Sequence, residues 1–153
     1  MREIIIYTDG SCINNGTEIS AGGYAAILID AQSKNRKEIS GPVINFIKPC
    51  TNQRAEIAAA IAALEAVKYP CQIILITDSQ YVVNTMANGW KKKANKDLWE
   101  RLEIVSSPHK IIWKWTRGHI GNLDNERADV LSKDAAYKQL AVISKELVND
   151  STK

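Results

Sequence analysis

Long hydrophobic runs are missing from this 153-residue chain; nothing in it approaches the roughly 18 consecutive apolar residues a membrane helix needs. Cysteine is scarce. Cys12, Cys50 and Cys71 are an odd number without a paired spacing, which excludes a disulfide framework and leads us to expect reduced thiols in a cytoplasmic protein. With 8 glycines and 4 prolines, neither in a repeat, the composition excludes collagen-like and low-complexity chains. Charge of one sign is also lacking: the formal net charge is +3, too small to indicate a partner. The hydrophobic share, 45% against 24% charged, is that of a globular domain. A chain of this length buries roughly two thirds of its unfolded surface, enough for one core. Met1-Arg2-Glu3 leads straight into an apolar run, so we expect no targeting peptide.

The charge that is there is unevenly placed. Residues 90–96 carry four lysines and no acid beside Trp90, leaving the rest of the chain close to neutral. Such a patch suits a nucleic-acid footprint or a solvated loop. Residues 4–8 are β-branched and aromatic and run into Asp9-Gly10-Ser11, a strand entering a turn. Strands are expected at 24–29, 38–46, 73–77 and 111–116, with Gly41-Pro42 marking a bulge or an edge. Thr51 or Asn52 caps a helix over 54–68, apolar around much of its circumference and so central and buried. Further helices are expected over 80–86, 97–105 and 125–137. The order implies an α/β domain: antiparallel strands first, then strands joined by helical crossovers as parallel neighbours. Trp99, Trp113 and Trp115 read as core residues.

Two strands end alike, in Ile6-Tyr7-Thr8-Asp9-Gly10-Ser11 and Ile74-Leu75-Ile76-Thr77-Asp78-Ser79. Chemistry collects outside the carboxyl ends of strands in open α/β sheets. If these strands are parallel neighbours, Asp9 and Asp78 lie side by side and repel unless a hard cation such as Mg²⁺ or Mn²⁺ sits between them. Taken singly, Asp78 could be a helix cap and Asp9 a turn residue. Glu56 and Asp129 lie in the first turns of helices, where the macrodipole favours an acid without any function. His119, in a glycine-flanked loop, suits proton shuttling or is a bystander. These residues alone make a metal-dependent enzyme possible and do not choose a substrate.

The motifs Thr8-Asp9-Gly10-Ser11-Cys12, Gly22-Gly23-Tyr24-Ala25, Thr51-Asn52-Gln53-Arg54-Ala55-Glu56, Thr77-Asp78-Ser79-Gln80-Tyr81-Val82, and Gly118-His119-Ile120-Gly121 with Asn125-Glu126-Arg127-Ala128-Asp129 resemble type 1 ribonuclease H. They occur in the family's order. The resemblance implies a ribonuclease H-like fold, a five-stranded mixed sheet flanked by helices. It implies a catalytic domain over 1–140 with an extension over 141–153. The implied activity is endonucleolytic hydrolysis of the RNA strand of an RNA/DNA hybrid, leaving 5′-phosphate and 3′-hydroxyl ends. Two Mg²⁺ ions, with Mn²⁺ as a substitute, are implied as cofactors on Asp9, Glu56, Asp78 and Asp129, with His119 assisting proton transfer or product release.

By the same resemblance, Asn15, Asn52 and Gln53 meet the RNA minor-groove side, with Ser11 and Cys12 lining the approach. Thr51 and Asn95 match positions that hold a DNA phosphate, and Ser79 and Tyr81 touch substrate or pack beneath it. Trp90, Lys91, Lys92 and Lys93 stand where many relatives carry a longer basic handle, here cut to a stub. The loop 12–21 is longer than usual and lacks the familiar proline, and Pro49 replaces an arginine that some members have. Residues 141–153 are expected either as a short helix packed through Ile143 and Leu147 or as a frayed tail. A monomer with no membrane association is expected. Competing readings are a catalytically silent hybrid-binding module and another nuclease on the same fold.

Overall fold

The structure, a computed structural model, describes residues 1–44, 49–117 and 121–151. Five strands form one sheet in the order β3-β2-β1-β4-β5. β1 (Arg2–Ile13) pairs antiparallel with β2 (Ala21–Asp30), and β2 with β3 (Arg36–Val43); β1 pairs parallel with β4 (Cys71–Thr77), and β4 with β5 (Lys110–Trp115). The described helices are α1 (Asn52–Glu65), α2 (Gln80–Asn88), α3 (Lys96–Ser106) and α4 (Leu123–Ser151). This is the expected mixed sheet. No described helix is long and apolar enough to cross a membrane.

The core lies between one face of the sheet and α1. Ile6, Ala26, Ile73 and Leu75 from the strands meet Ile57, Ala60, Ile61 and Leu64 of α1, and Trp99 and Leu102 of α3 close the side. Alanine at so many α1 positions lets the helix lie close to the strands, which is why it is buried nearly all round. On the opposite face, Ala128, Ser132, Ala135 and Ala136 form a small-residue stripe on α4. That stripe meets Gly23 of β2, where an added Cβ would lie 2.2 Å from the Ser132 carbonyl oxygen. Only glycine allows this approach.

Several elements differ from expectation. β1 does not turn at Asp9-Gly10-Ser11 but continues to Ile13, because residues 9–13 pair with residues 21–25 of β2. Tertiary pairing thus overrides a local turn signal. β3 ends at Val43; Phe46, expected at its end, lies outside the described residues. Pro42 sits on the sheet's edge strand, as expected of proline. Trp99 is fully buried and Trp113 packs against the core, but Trp115 is 39% exposed and is no core residue. α4 begins at Leu123, with Asn122 Oδ1 accepting the Asn125 N–H at 2.9 Å in the manner of a cap. It runs on without a break, so the residues after 140 continue a helix whose sides are mostly exposed.

Candidate active site

The parallel register brings the two aspartates together. β1 and β4 pair in step up to Tyr7 and Ile76, and two residues further on come Asp9 and Asp78. Neither local alternative accounts for them. Asp9 lies inside a strand rather than in a turn. The cap of α2 is Ser79, whose Oγ accepts the Val82 N–H at 3.1 Å, so Asp78 is not needed there. Glu56 reaches the same point from α1. An added Cβ on Gly10 would lie 2.2 Å from the Ala55 carbonyl carbon, so glycine here lets α1 press its backbone onto β1. Glu56 Oε1 then accepts the Gly10 N–H at 2.7 Å, and Oε2 accepts the Thr77 hydroxyl at 3.3 Å.

Ligand oxygens of Asp9, Glu56 and Asp78 all lie within 4.8 Å of one another. Burial pushes the Glu56 carboxyl well above its usual range, and the charges of Asp9 and Asp78 push it further; a hydrogen bond from the neutral acid to Asp9 adds to the effect. Crowding of this kind favours the uptake of a cation between the three carboxylates. The donor set is oxygen only, the chemistry that hard divalent ions take. The residues present fit such an ion.

Asp129 is not drawn into this group of three. It sits in the second turn of α4, where Oδ2 pairs with Lys133 Nζ at 3.0 Å. Lys133 also feels the charge of Asp9, so Asp129 flanks the cluster. His119 lies outside the described residues.

Of the other expected site residues, Ser11 is engaged across the sheet. Ser132 Oγ donates to the Asp129 carbonyl at 3.0 Å, so at 2.9 Å it is Ser11 that donates to Ser132. Asn15 Oδ1 accepts the Asn52 N–H at 2.7 Å, and Gly16 N–H donates to the Cys50 carbonyl at 2.8 Å. These bonds dock the loop after β1 onto the start of α1. Cys12 is half-buried among Cys50, Ala55 and Tyr24, and burial pushes its thiol up. Thr51 caps α1, its Oγ1 accepting the Arg54 N–H at 3.1 Å, with Asn52 and Gln53 exposed beside it. Asn95 precedes α3 in a left-handed conformation. Tyr81 packs edge-on against Trp99, with ring centroids 5.1 Å apart. Trp90 and Lys91 are exposed, and Lys92 pairs with Glu103.

Two contributors are not evident from the sequence. Trp115 Nε1 donates to the Asp78 carbonyl at 3.0 Å, and Thr116 N–H donates to the Thr77 carbonyl at 2.9 Å, holding the end of β4. Trp115's place at the carboxyl end of a strand is the signal that points to it. Ser132 is the other, signalled only by its fit to the small-residue stripe of α4.

The RNase H family model matches residues 1–137. The chain belongs to the type 1 ribonuclease H family. It is accordingly an endoribonuclease. A ribonuclease H of Syntrophus aciditrophicus (strain SB) is 46% identical, over 88% of this chain and 81% of the relative. Among solved structures, LC9-RNase H1, described as a type 1 RNase H with the type 2 active-site motif, has a TM-score of 0.75 at 27% identity, over 91% of this chain and 74% of that one. LC11-RNase H1, solved in complex with an RNA/DNA hybrid, has a TM-score of 0.68 at 25% identity, over 90% and 99%. This ribonuclease H thus presents Asp9, Glu56 and Asp78 as a compact acidic centre, with Asp129 on the adjoining helix.

Proposed function

We propose that the chain hydrolyses the RNA strand of RNA/DNA hybrids with two Mg²⁺ ions held by Asp9, Glu56, Asp78 and Asp129, leaving 5′-phosphate and 3′-hydroxyl ends. The observation that carries this reading is the convergence of three carboxylates within 4.8 Å, with Glu56 driven toward its protonated form. Bound Mg²⁺ would supply the Lewis acidity that activates water and stabilises the leaving 3′ oxygen.

The chain's own residues do the rest. Glu56, fixed by the Gly10 N–H and the Thr77 hydroxyl, would present its carboxylate to a metal in a constant orientation. Lys133 holds the Asp129 carboxylate in place beside the group, where it would be a further ligand. Asn52 and Gln53 are exposed at the start of α1, placed to read 2′-hydroxyls, which tell RNA from DNA. Thr51 and Asn95 take a phosphate of the DNA strand. Trp90, Lys91, Lys92 and Lys93 add a sequence-independent grip on the backbone, and His119 assists proton transfer or release of product. The hybrid bound by LC11-RNase H1 supports this choice of substrate. The same reading makes the protein a cytoplasmic monomer, in keeping with its few, unpatterned cysteines.

The ends of the products test the mechanism. A hybrid cut in Mg²⁺ should give RNA 3′ ends that a polymerase extends without prior phosphatase treatment. Cyclic or 3′-phosphate ends would overturn the water-attack reading.

A further inference from the structure

Arg54 belongs to the same turn of α1 as Glu56 but turns away from the carboxylates, into the joint between α1 and α3. Its side chain is only 6% exposed. Nη1 and Nη2 grip the two oxygens of Asp97 at 3.1 and 2.7 Å, and Nη1 also donates to Asn95 Oδ1 at 3.1 Å. Asn95 is held from its other end too: Nδ2 donates to the Tyr81 hydroxyl at 3.4 Å, which also accepts Trp99 Nε1 at 3.3 Å. The Asn95 backbone stands at φ 58°, ψ 33°, a left-handed conformation that asparagine tolerates better than most residues.

A guanidinium carries donors only. Its contact with Asn95 therefore permits one orientation of the side-chain amide, with Oδ1 inward and the NH₂ group directed away from Arg54. The reversed amide would set donor against donor. Thr51 Oγ1 accepts the backbone N–H at position 54 as the cap of α1 and so has its own hydrogen left to donate. Meanwhile Asp97 neutralises the guanidinium, so Arg54 does not compete for the anion it helps to place.

We propose that Arg54 and Asp97 are positioning residues for phosphate recognition: they lock Asn95 as a donor, beside Thr51, toward a single phosphate of the DNA strand. This rests on the assignment of Thr51 and Asn95 to a DNA phosphate. The pair touches no substrate itself. It fixes where that strand is held relative to Glu56, two residues along the same helix, and so sets the register of the hybrid over the carboxylates.

The test scans the DNA strand of a hybrid with single neutral methylphosphonates and measures KM and kcat at each position, alongside thermal unfolding of each variant. In the unaltered protein, one position should raise KM about tenfold, the scale of a charge-assisted hydrogen bond, and its neighbours far less. In Asp97→Ala and Arg54→Lys the same position should cost less than about twofold, the scale left when that bond is absent. Arg54→Lys keeps the charge pair but loses the fork that orients Asn95, so its stability should recover relative to Asp97→Ala while its phosphate sensitivity does not. It also decides the matter should Asp97→Ala fail to fold. A full position-specific penalty retained in Arg54→Lys would overturn the proposal and leave the pair a packing feature. No sensitive position in the unaltered protein would instead remove the assignment of Thr51 and Asn95, and the proposal with it.

Discussion

Asp9 is costly to the protein that carries it. It is 4% exposed, close to two other carboxylates, and is one reason the Glu56 carboxyl is pushed up. Asp9→Asn should therefore do two opposite things. Cleavage should be nearly abolished, because an amide is a poor ligand for a hard cation. In EDTA the variant should be more stable than the parent by on the order of 1 kcal/mol, by relief of like-charge repulsion at a functional site. A carboxyl raised in the folded state above its ordinary value of 4.5 loses stability as pH rises, so the gain should be small in acid and grow toward neutrality. Denaturation in EDTA at several pH values checks this; an Asp9→Asn chain less stable than the parent at neutral pH would contradict the crowded-carboxylate picture. The three clustered acids are legible as sequence motifs because Asp9 and Asp78 each follow an apolar run of strand character and Glu56 lies near the start of a helix. Trp115 and Ser132 are not, since their partners Asp78 and Ser11 lie 37 and 121 residues away along the chain. Trp115 reads as core from sequence alone, because an aromatic in a strand carries no mark of the face it occupies.

At the scale of elements, the position of α4 matters most, since it carries Asp129. Small residues bring the helix onto Gly23, and charges on β3 fix its start. Arg127 donates to Glu38 at 2.9 and 3.2 Å, while Arg36 bridges Glu38 at 2.8 Å and Asp124 at 3.0 Å. The hydrogen bonds from Arg127 and then Arg36 lower the Glu38 carboxyl from 4.5 to about 2. A depressed folded-state value contributes stability above the unfolded value and loses it as pH falls through the folded one. Glu38→Gln should thus melt below the parent at neutral pH, with the gap closing between about pH 4.5 and about pH 2. A gap independent of pH would show that Glu38 acts through packing alone. The effect is modest because these groups are partly solvated. The sequence patterns locate each helix to within a few residues, yet they miss the continuation of β1 past Asp9 and of α4 past residue 140. The first depends on pairing with β2, which local propensity does not encode. The second has little tertiary packing to mark it.

For the molecule as a whole, the charge divides into an acidic centre and a lysine stub outside it. Lys92 is paired with Glu103, whereas Lys91 and Lys93 are exposed. Replacing Lys91, Lys92 and Lys93 by alanine should weaken hybrid binding and lower the slope of log affinity against log salt by up to about 3, near one unit for each phosphate no longer neutralised. An unchanged slope would mean that the lysines are merely solvated. The central claim, however, concerns what is cut and with what help. An end-labelled assay comparing an RNA/DNA hybrid, double-stranded RNA and single-stranded RNA, each with Mg²⁺ or with EDTA, addresses it directly. Cleavage should be confined to the RNA strand of the hybrid and should occur only with the metal present; cleavage in EDTA, or equal cutting of double-stranded RNA, would contradict the assignment of a metal-dependent hybrid nuclease.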